Sequence, residues 1–310
     1  MIIRQKAFEN AEKMQKVQLH CHSTRSDGKL PPEEVFKKYA EKNFDLVALT
    51  DHRKYNRVNY APETGIVAIP AMEINVQFDY NAGGTRHFHT LVLGPDDETN
   101  GYAHDDTVDG PDIEDYTTFQ TRLDEAHAKN NLTIYCHPEW SRTPAKYFQD
   151  FKGNIAMEIW NSGSAYHFDS DTNAAYWNEV MATGNKLFGV ATDDAHDESY
   201  LGRGWVMTNS KKEVKDTLRA LKEGAFYSSC GPVIRDFYFD TDTNTVHVET
   251  DGVAQVWVIR DRQANTLAAD SSKNSVTKAS YKMSVSPEMI RVCVVDRDGR
   301  RAWTNPIFFN

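Results

Sequence analysis

Residues 17–28 read VQLHCHSTRSDG. Val17, Gln18 and Leu19 predict a short β-strand that ends in His20-Cys21-His22. Side chains at i and i+2 leave the same face of a strand, so His20 and His22 point together and Cys21 points away. Two imidazoles at the mouth of a strand are half of a transition-metal site. Ser26-Asp27-Gly28 then reads as a turn that returns a carboxylate over the same opening. Alone the pair is a modest signal. Its weight comes from the rest of the chain, which keeps bringing acids and histidines to strand ends.

The chain has 310 residues, 40% of them hydrophobic, enough for one barrel-sized unit with a sizeable core and a smaller companion. No apolar run approaches the roughly 18 residues that cross a bilayer. Residues 1–16 are charged and lack the apolar stretch of a secretory signal. Cys21, Cys136, Cys230 and Cys293 stand apart with no CxxC pair, as reduced cysteines do. The expected location is therefore cytoplasmic, with no membrane partner. A net charge of −10 argues against general nucleic-acid affinity, which needs a basic surface. Anionic substrates stay open, because bound cations invert the local field. Residues 96–115, rich in acids, read as a solvated surface loop.

Beyond residue 28 the pattern alternates. Pro31-Pro32-Glu33-Glu34 opens a helix to about residue 42, proline suiting the first turn and acids the positive end of the helix dipole. Residues 44–49 predict a buried strand running into Thr50-Asp51-His52; 67–76 predict one carrying Glu73, and 88–93 one with His89 near its start. A helix over 114–131 leads to a strand at 132–136 and then to His137. Helices at 143–151, 171–183 and 211–223 alternate with strands at 155–160, 186–191 and 205–208. This order predicts an α/β unit over residues 1–228 with a mainly parallel sheet, most economically a closed β/α barrel. Residues 229–310 are short β-branched segments with turns at Asp251-Gly252 and Asp298-Gly299. They predict a small antiparallel β-sandwich-like domain.

Enzymes on β/α barrels carry their reactive groups at the C-terminal ends of strands. At or near those ends stand His20, His22, Asp27, His52, Glu73, His89, His137, Asp194 and His196. Only imidazoles and carboxylates are present, the donor set of zinc, manganese or iron hydrolases. Any one of these histidines would ordinarily be a hydrogen-bonded or exposed side chain. Nine such groups at successive strand ends are not expected by chance.

The motifs HCH (20–22), SDG (26–28), TDH (50–52), the glutamate of AMEIN (71–75), HTLVLG (89–94), HPEW (137–140) and DAH (194–196) follow one another in this order. Together they resemble the PHP (polymerase and histidinol phosphatase) family. The resemblance implies a distorted seven-stranded, TIM-like β/α barrel with two or three divalent metal ions, Zn, Mn or Fe. Carried onto this sequence, it implies that His20, His22, Glu73 and Asp194 hold one metal. Glu73 would share a second with His89 and His137, and Asp27, His52 and His196 would hold a third. The tail, with AWTNP at 302–306, resembles the two-domain branch of the family, in which a small β domain follows the barrel. The DxH spacing selects Asp194 over Asp193, and the distance to Gly94 selects His89 over His87.

The implied activity is phosphoester hydrolysis by a hydroxide held between two cations, with Glu73, Asp194 and His196 as catalytic residues. The expected substrate is a small phosphorylated molecule or the end of a short oligonucleotide. Cations a few ångströms apart clamp a phosphoryl group during in-line displacement and disperse its charge. Two other functions stay open: metal-dependent hydrolysis of a carboxylic ester, amide or carbamate, and a binding module without catalysis. Arg142, Arg203, Glu158 and Asn161 read as substrate contacts, with Arg53 beside them and Asp193 as a trial proton donor. Trp140 and Trp160 read as core or pocket floor. His104, His127, His167 and His247 lack partner spacing and read as surface or satisfied histidines.

Overall fold

The strand beneath the histidine pair is Gln15–Gln18, and its neighbours set the architecture. The computed structural model describes every residue except 12, 81–83, 96–100, 109–117, 149–150, 171–172, 262, 271 and 310; the side chains of 78–80 and 84–86 are also outside the description. Gln15–Gln18 pairs in parallel with Leu46–Ala48, which pairs in parallel with Val67–Ile69. On its other side it pairs antiparallel with Trp205–Thr208, and that strand with Phe226–Ser229. A second sheet runs in the order Ala71–Tyr80, Gly84–Leu93, Leu132–Tyr135, Asn154–Asn161, Phe188–Thr192.

The two sheets face each other across one apolar core, to which Val17, Leu46, Ile69, Leu91, Ile134 and Val190 contribute from both sides. Among the described residues they do not close into one hydrogen-bonded ring, so the expected closed barrel becomes two facing arcs. Each seam has a physical cause. At one, Pro70 interrupts the strand expected over 67–76; proline has no N–H to donate, and the ladder restarts at Ala71. Isolated bridges His52↔Glu73 and Asn56↔Ala71 span that gap. At the other seam backbone pairing shrinks to the Cys21↔Ala195 bridge, and the Gln18 amide adds side-chain bonds beside it. Its Oε1 accepts from the N–H groups of Leu19, His20 and Asp193, and its Nε2 donates to Asp193 and to the Gly204 carbonyl.

The second sheet is also less parallel than expected. Ala71–Tyr80 and Gly84–Leu93 are antiparallel, as are Gly84–Leu93 and Leu132–Tyr135. For the first of these pairs, a connection of three residues cannot make the crossover that parallel strands require. The expected helices persist among the described residues as Pro32–Glu41, Thr118–Ala128, Ala145–Phe148, Ala174–Ala182 and Val214–Glu223, while residues 114–117, 149–150 and 171–172 of those expectations lie outside the described residues. Ser162–Phe168, where no helix is expected, is a helix; the Asn161 side chain caps it by accepting from the Ser164 N–H at 2.8 Å. Much of the acidic stretch lies outside the described residues; Asp105, within them, pairs with Arg25.

The C-terminal part is β-rich. Ile2–Arg4, Ile234–Asp240, Thr245–Val253 and Val276–Lys282 form a four-stranded antiparallel sheet. It packs on Gln255–Arg260 and Met289–Val295 through Phe237, Val246, Val256, Val258 and Ile290. Asp251-Gly252 is not a turn but an irregularity within Thr245–Val253, with Gly252 at φ +112°. Asp298-Gly299 is a turn, with Gly299 at φ +84°. Arg301–Thr304 pairs with Phe226–Ser229, so one sheet runs without interruption from the arc beneath the histidines into the C-terminal part. Asn305 adds a tie, accepting from the Gly189 N–H at 3.0 Å. No described helix is long and apolar enough to cross a membrane.

Candidate metal centre

His20 and His22 leave the end of Gln15–Gln18 on the same side, with their Nε2 atoms 3.2 Å apart. Both face Asp194 Oδ1, at 3.2 and 3.1 Å, and Glu73 Oε2, at 3.3 Å each. His52 Nδ1 reaches Glu73 Oε2 at 3.1 Å, and the other oxygen, Oε1, meets His89 Nδ1 at 2.9 Å and His137 Nε2 at 3.3 Å. Five imidazoles thus converge on one buried carboxylate. Outside them, Asp27 lies 3.4 Å from His196 Nε2 and 3.6 Å from both His22 Nδ1 and His52 Nε2.

Two compact quartets result, His20/His22/Glu73/Asp194 and His22/Asp27/His52/His196, each with one donor atom per residue within 4.8 Å of the others. Glu73, His89 and His137 do not form one such trio; His89 groups with His52 and Glu73, while His137 groups with Glu73 and Cys136. His87, the alternative to His89, packs against Trp140 and the edge of His89 instead.

The surroundings fix this arrangement. Glu158 is fully buried, and its Oε1 holds His20 Nδ1 at 2.7 Å, which turns His20 Nε2 toward the acids. Its Oε2 accepts from the His137 N–H and the Asn161 amide, both at 2.8 Å. His137 and Asp194 have φ of +25° and +51°, a costly conformation for residues with a Cβ. At Asp194 it is held by the N–H bond to the His20 carbonyl at 2.9 Å. Buried Asp51 pins the SDG turn by accepting from the N–H and hydroxyl groups of Ser23 and Ser26. Gly28 completes the turn where a Cβ would lie 2.6 Å from the His22 carbonyl carbon.

Charge follows geometry. Burial disfavours a charged His22, but hydrogen bonds to Asp194 and Glu73 outweigh it and raise its pKa to about 9. Burial dominates at His52 and lowers it to about 4. Burial would raise Glu73 and Asp194, yet His20 and the other imidazoles hold both well below the usual carboxylate range. Glu73 Oε2 and His52 Nδ1 are buried without a hydrogen-bond partner. Electron-rich nitrogens and oxygens facing one another in this way fit cations between them.

The expected substrate contacts fare differently. Arg142 and Arg203 are exposed and do not line the cavity of about 350 Å³ over the cluster. Arg203 instead donates to the Ser199 carbonyl and lies over the Tyr166 ring. Arg53 turns to Asn75. Glu158 and Asn161 sit behind the cluster, where their polar atoms are used by the His20 and Asp194 side chains, the His137 N–H and one another. Asp193, the trial proton donor, faces away from the cavity and accepts from the N–H groups of Gly202, Arg203 and Gly204, from Tyr39, Gln18 and Ser162. Burial raises it to about 6 against the pull of those donors. Trp160 donates to Ser162 and does not line the cavity, whereas Trp140 does. His167, read as a surface histidine, also lines it, with Lys29, Phe168 and Tyr200. Only the capping asparagine before residues 162–168 hinted at these from sequence.

The sequence model of the PHP domain matches residues 18–227. The chain belongs to the PHP domain family. The match contains every residue of the cluster, so the family read from the motifs is the one shown. No curated protein matches the chain. Among solved structures, a two-domain protein containing a predicted PHP-like metal-dependent phosphoesterase from Bacteroides vulgatus is 14% identical. It covers 96% of each chain with a TM-score of 0.48. An amidohydrolase from Chromobacterium violaceum, with bound sulfate and no metal, is 16% identical over 59% of this chain and 88% of its own, with a TM-score of 0.42.

Proposed function

We propose that this PHP protein is a metal-dependent phosphoesterase. The observation that carries the proposal is Glu73, which has ring nitrogens of His20, His22, His52, His89 and His137 within 3.3 Å. A fully buried carboxylate shared in this way suits a bridge between cations. His20, His22, Glu73 and Asp194 would hold one ion; His89 and His137 would share a second through Glu73; Asp27, His52 and His196 would hold a third. All donors are nitrogen or oxygen, which suits Zn, Mn or Fe. Bound there, divalent cations supply Lewis acidity, activate water near neutral pH and offset charge on a phosphoryl group.

The chain's own residues do the rest. Glu158 and Ser141 hold the outward nitrogens of His20 and His137, and Asp51 fixes the turn that carries Asp27. The substrate phosphoryl group would enter through the cavity above Glu73, with Asp27 and His196 at its rim. All four cysteines are buried, which leaves no exposed thiol as a nucleophile.

The test is purified protein loaded in turn with Zn, Mn and Fe, assayed on phosphomonoesters, phosphodiesters and carbonyl esters. Phosphate release that disappears on chelation and in Asp194→Ala supports the proposal. Bound metal with cleavage of carbonyl esters alone overturns it. Ligand binding that survives Asp194→Ala, with no turnover, points to a binding module instead.

A further inference from the structure

Lys16 pairs with Met207 and Met207 with Tyr227, so their side chains form one row across three strands. Their sequence neighbours Val17, Val206 and Phe226 face the core between the two sheets, and the row therefore points outward. With Trp205, two residues from Met207, it floors a cavity of about 560 Å³. The walls come from Phe8, Met14 and residues 232–235. This cavity shares no lining residue with the one over Glu73. Its volume falls within the roughly 300–1,000 Å³ of small-ligand sites.

Its charge is the reverse of the chain's. The protein carries −10, yet the charged residues lining this cavity are Lys13, Lys16 and Arg235, with no Asp or Glu among the described residues there. Arg235 is paired with Asp251. Among the described residues neither Lys13 nor Lys16 has an ion-pair partner. Lys16 Nζ sits over the rings of Phe44 and Trp205, 4.1 and 4.2 Å from their centroids, and donates to the Lys42 carbonyl at 3.1 Å. Asp45 accepts from the Lys16 backbone N–H and lies 3.7 Å from Lys212 Nζ, so it does not answer the Lys16 ammonium. Burial lowers Lys16 to about 8, with Lys42 adding to it and Asp193 and Asp45 pulling the other way. A desolvated cation without a counter-charge favours an incoming anion.

We propose that this cavity binds a small organic dianion, its charges met by Lys13 and Lys16 and its apolar body laid along Met14 and Met207. A phosphoryl group and a pair of carboxylates both present that chemistry. The site is separate from the Glu73 cluster, and it stands whether or not the chain cleaves phosphoesters. An anion seated there returns to Lys16 the stabilisation that burial removes. It also joins three segments far apart in sequence: residues 8–14, the sheet, and the entry to Ile234–Asp240.

The experiment titrates phenylphosphonate and phthalate by calorimetry into the full chain after chelation, so that no cation in the Glu73 cluster draws them. At least one binds, about tenfold more tightly than its counterpart without a ring, methylphosphonate or malonate. The tighter of the two identifies the head group. Lys16→Met weakens that binding about tenfold, the loss of one charged hydrogen bond, and Lys13→Glu does the same. Asp194→Ala leaves it unchanged. Lys13 is exposed, so its variant decides the matter should Lys16→Met fail to fold. Binding of neither compound overturns the proposal, as does equal affinity with and without the ring, or an affinity untouched by either lysine variant. Affinity lost in Asp194→Ala also overturns it, because the anion then sits in the Glu73 cluster.

Discussion

Glu158 Oε1 lies 2.7 Å from His20 Nδ1 in a pocket where both side chains are fully buried. A carboxylate accepts, so Nδ1 carries the proton and Nε2 presents its lone pair to Glu73 and Asp194. One residue thereby sets the tautomer of another. Glu158→Gln, which weakens this grip without emptying the space, is expected to lower metal affinity about 10- to 100-fold. Calorimetric titration of metal into chelated protein measures it, and unchanged affinity would show that Glu158 only fills space.

The pH dependence of the metal-free protein has a definite sign. The folded pKa of His22 is about 9, above the usual 6.5. Its contribution to stability is therefore full below pH 6.5 and is lost as pH rises through 9. His52, lowered to about 4, acts in the other direction. Its contribution is present above pH 6.5 and is lost as pH falls through 4. Thermal unfolding of chelated protein should peak near pH 6.5. Saturating metal should remove the alkaline decline, because the cation replaces the proton on His22.

Asp193 is a positioning residue that keeps residues 202–204 on the end of Phe188–Thr192. Asp193→Ala leaves several buried donors unpaired and should cost about 3 kcal/mol of stability by denaturant titration. The high-pH arm of the kcat profile should stay where it is. A shift in that arm would return Asp193 to the role of proton donor.

Gly28→Ala places a methyl group 2.6 Å from the His22 carbonyl carbon, against backbone that cannot swing aside. Overpacking of this kind costs about 1–3 kcal/mol. The expected result is a lower unfolding midpoint together with reduced metal stoichiometry, read by elemental analysis. Normal stoichiometry would mean that the turn relaxes without moving His22 or Asp27.

The cluster was legible because its chemistry is written in short periods. HxH on a strand and DxH after one announce shared faces, and Glu73 follows from its place in an apolar strand. What supports the cluster was not. Gln18 serves the seam through its side chain, which strand periodicity cannot show, and Asp51 serves a turn that lies 25 residues earlier. Pro70 was readable in principle, since a proline inside a predicted strand argues for a break there. Residues 162–168 lack the spaced apolar stripe of an amphipathic helix, having Gly163 and two serines in place of it, and so their part in lining the cavity over Glu73 went unseen.

The sheet that continues from Phe226–Ser229 into Arg301–Thr304 bears on how the protein may be divided. A fragment ending near residue 228 would strip the last strand, Phe226–Ser229, of its partner Arg301–Thr304 and bare its edge, where all four residues are buried in the whole chain. Unsatisfied edges recruit other strands, so such a fragment would self-associate or fail to accumulate. The two parts are separable on paper but share one continuous sheet, so removing either one unpairs a strand of the other.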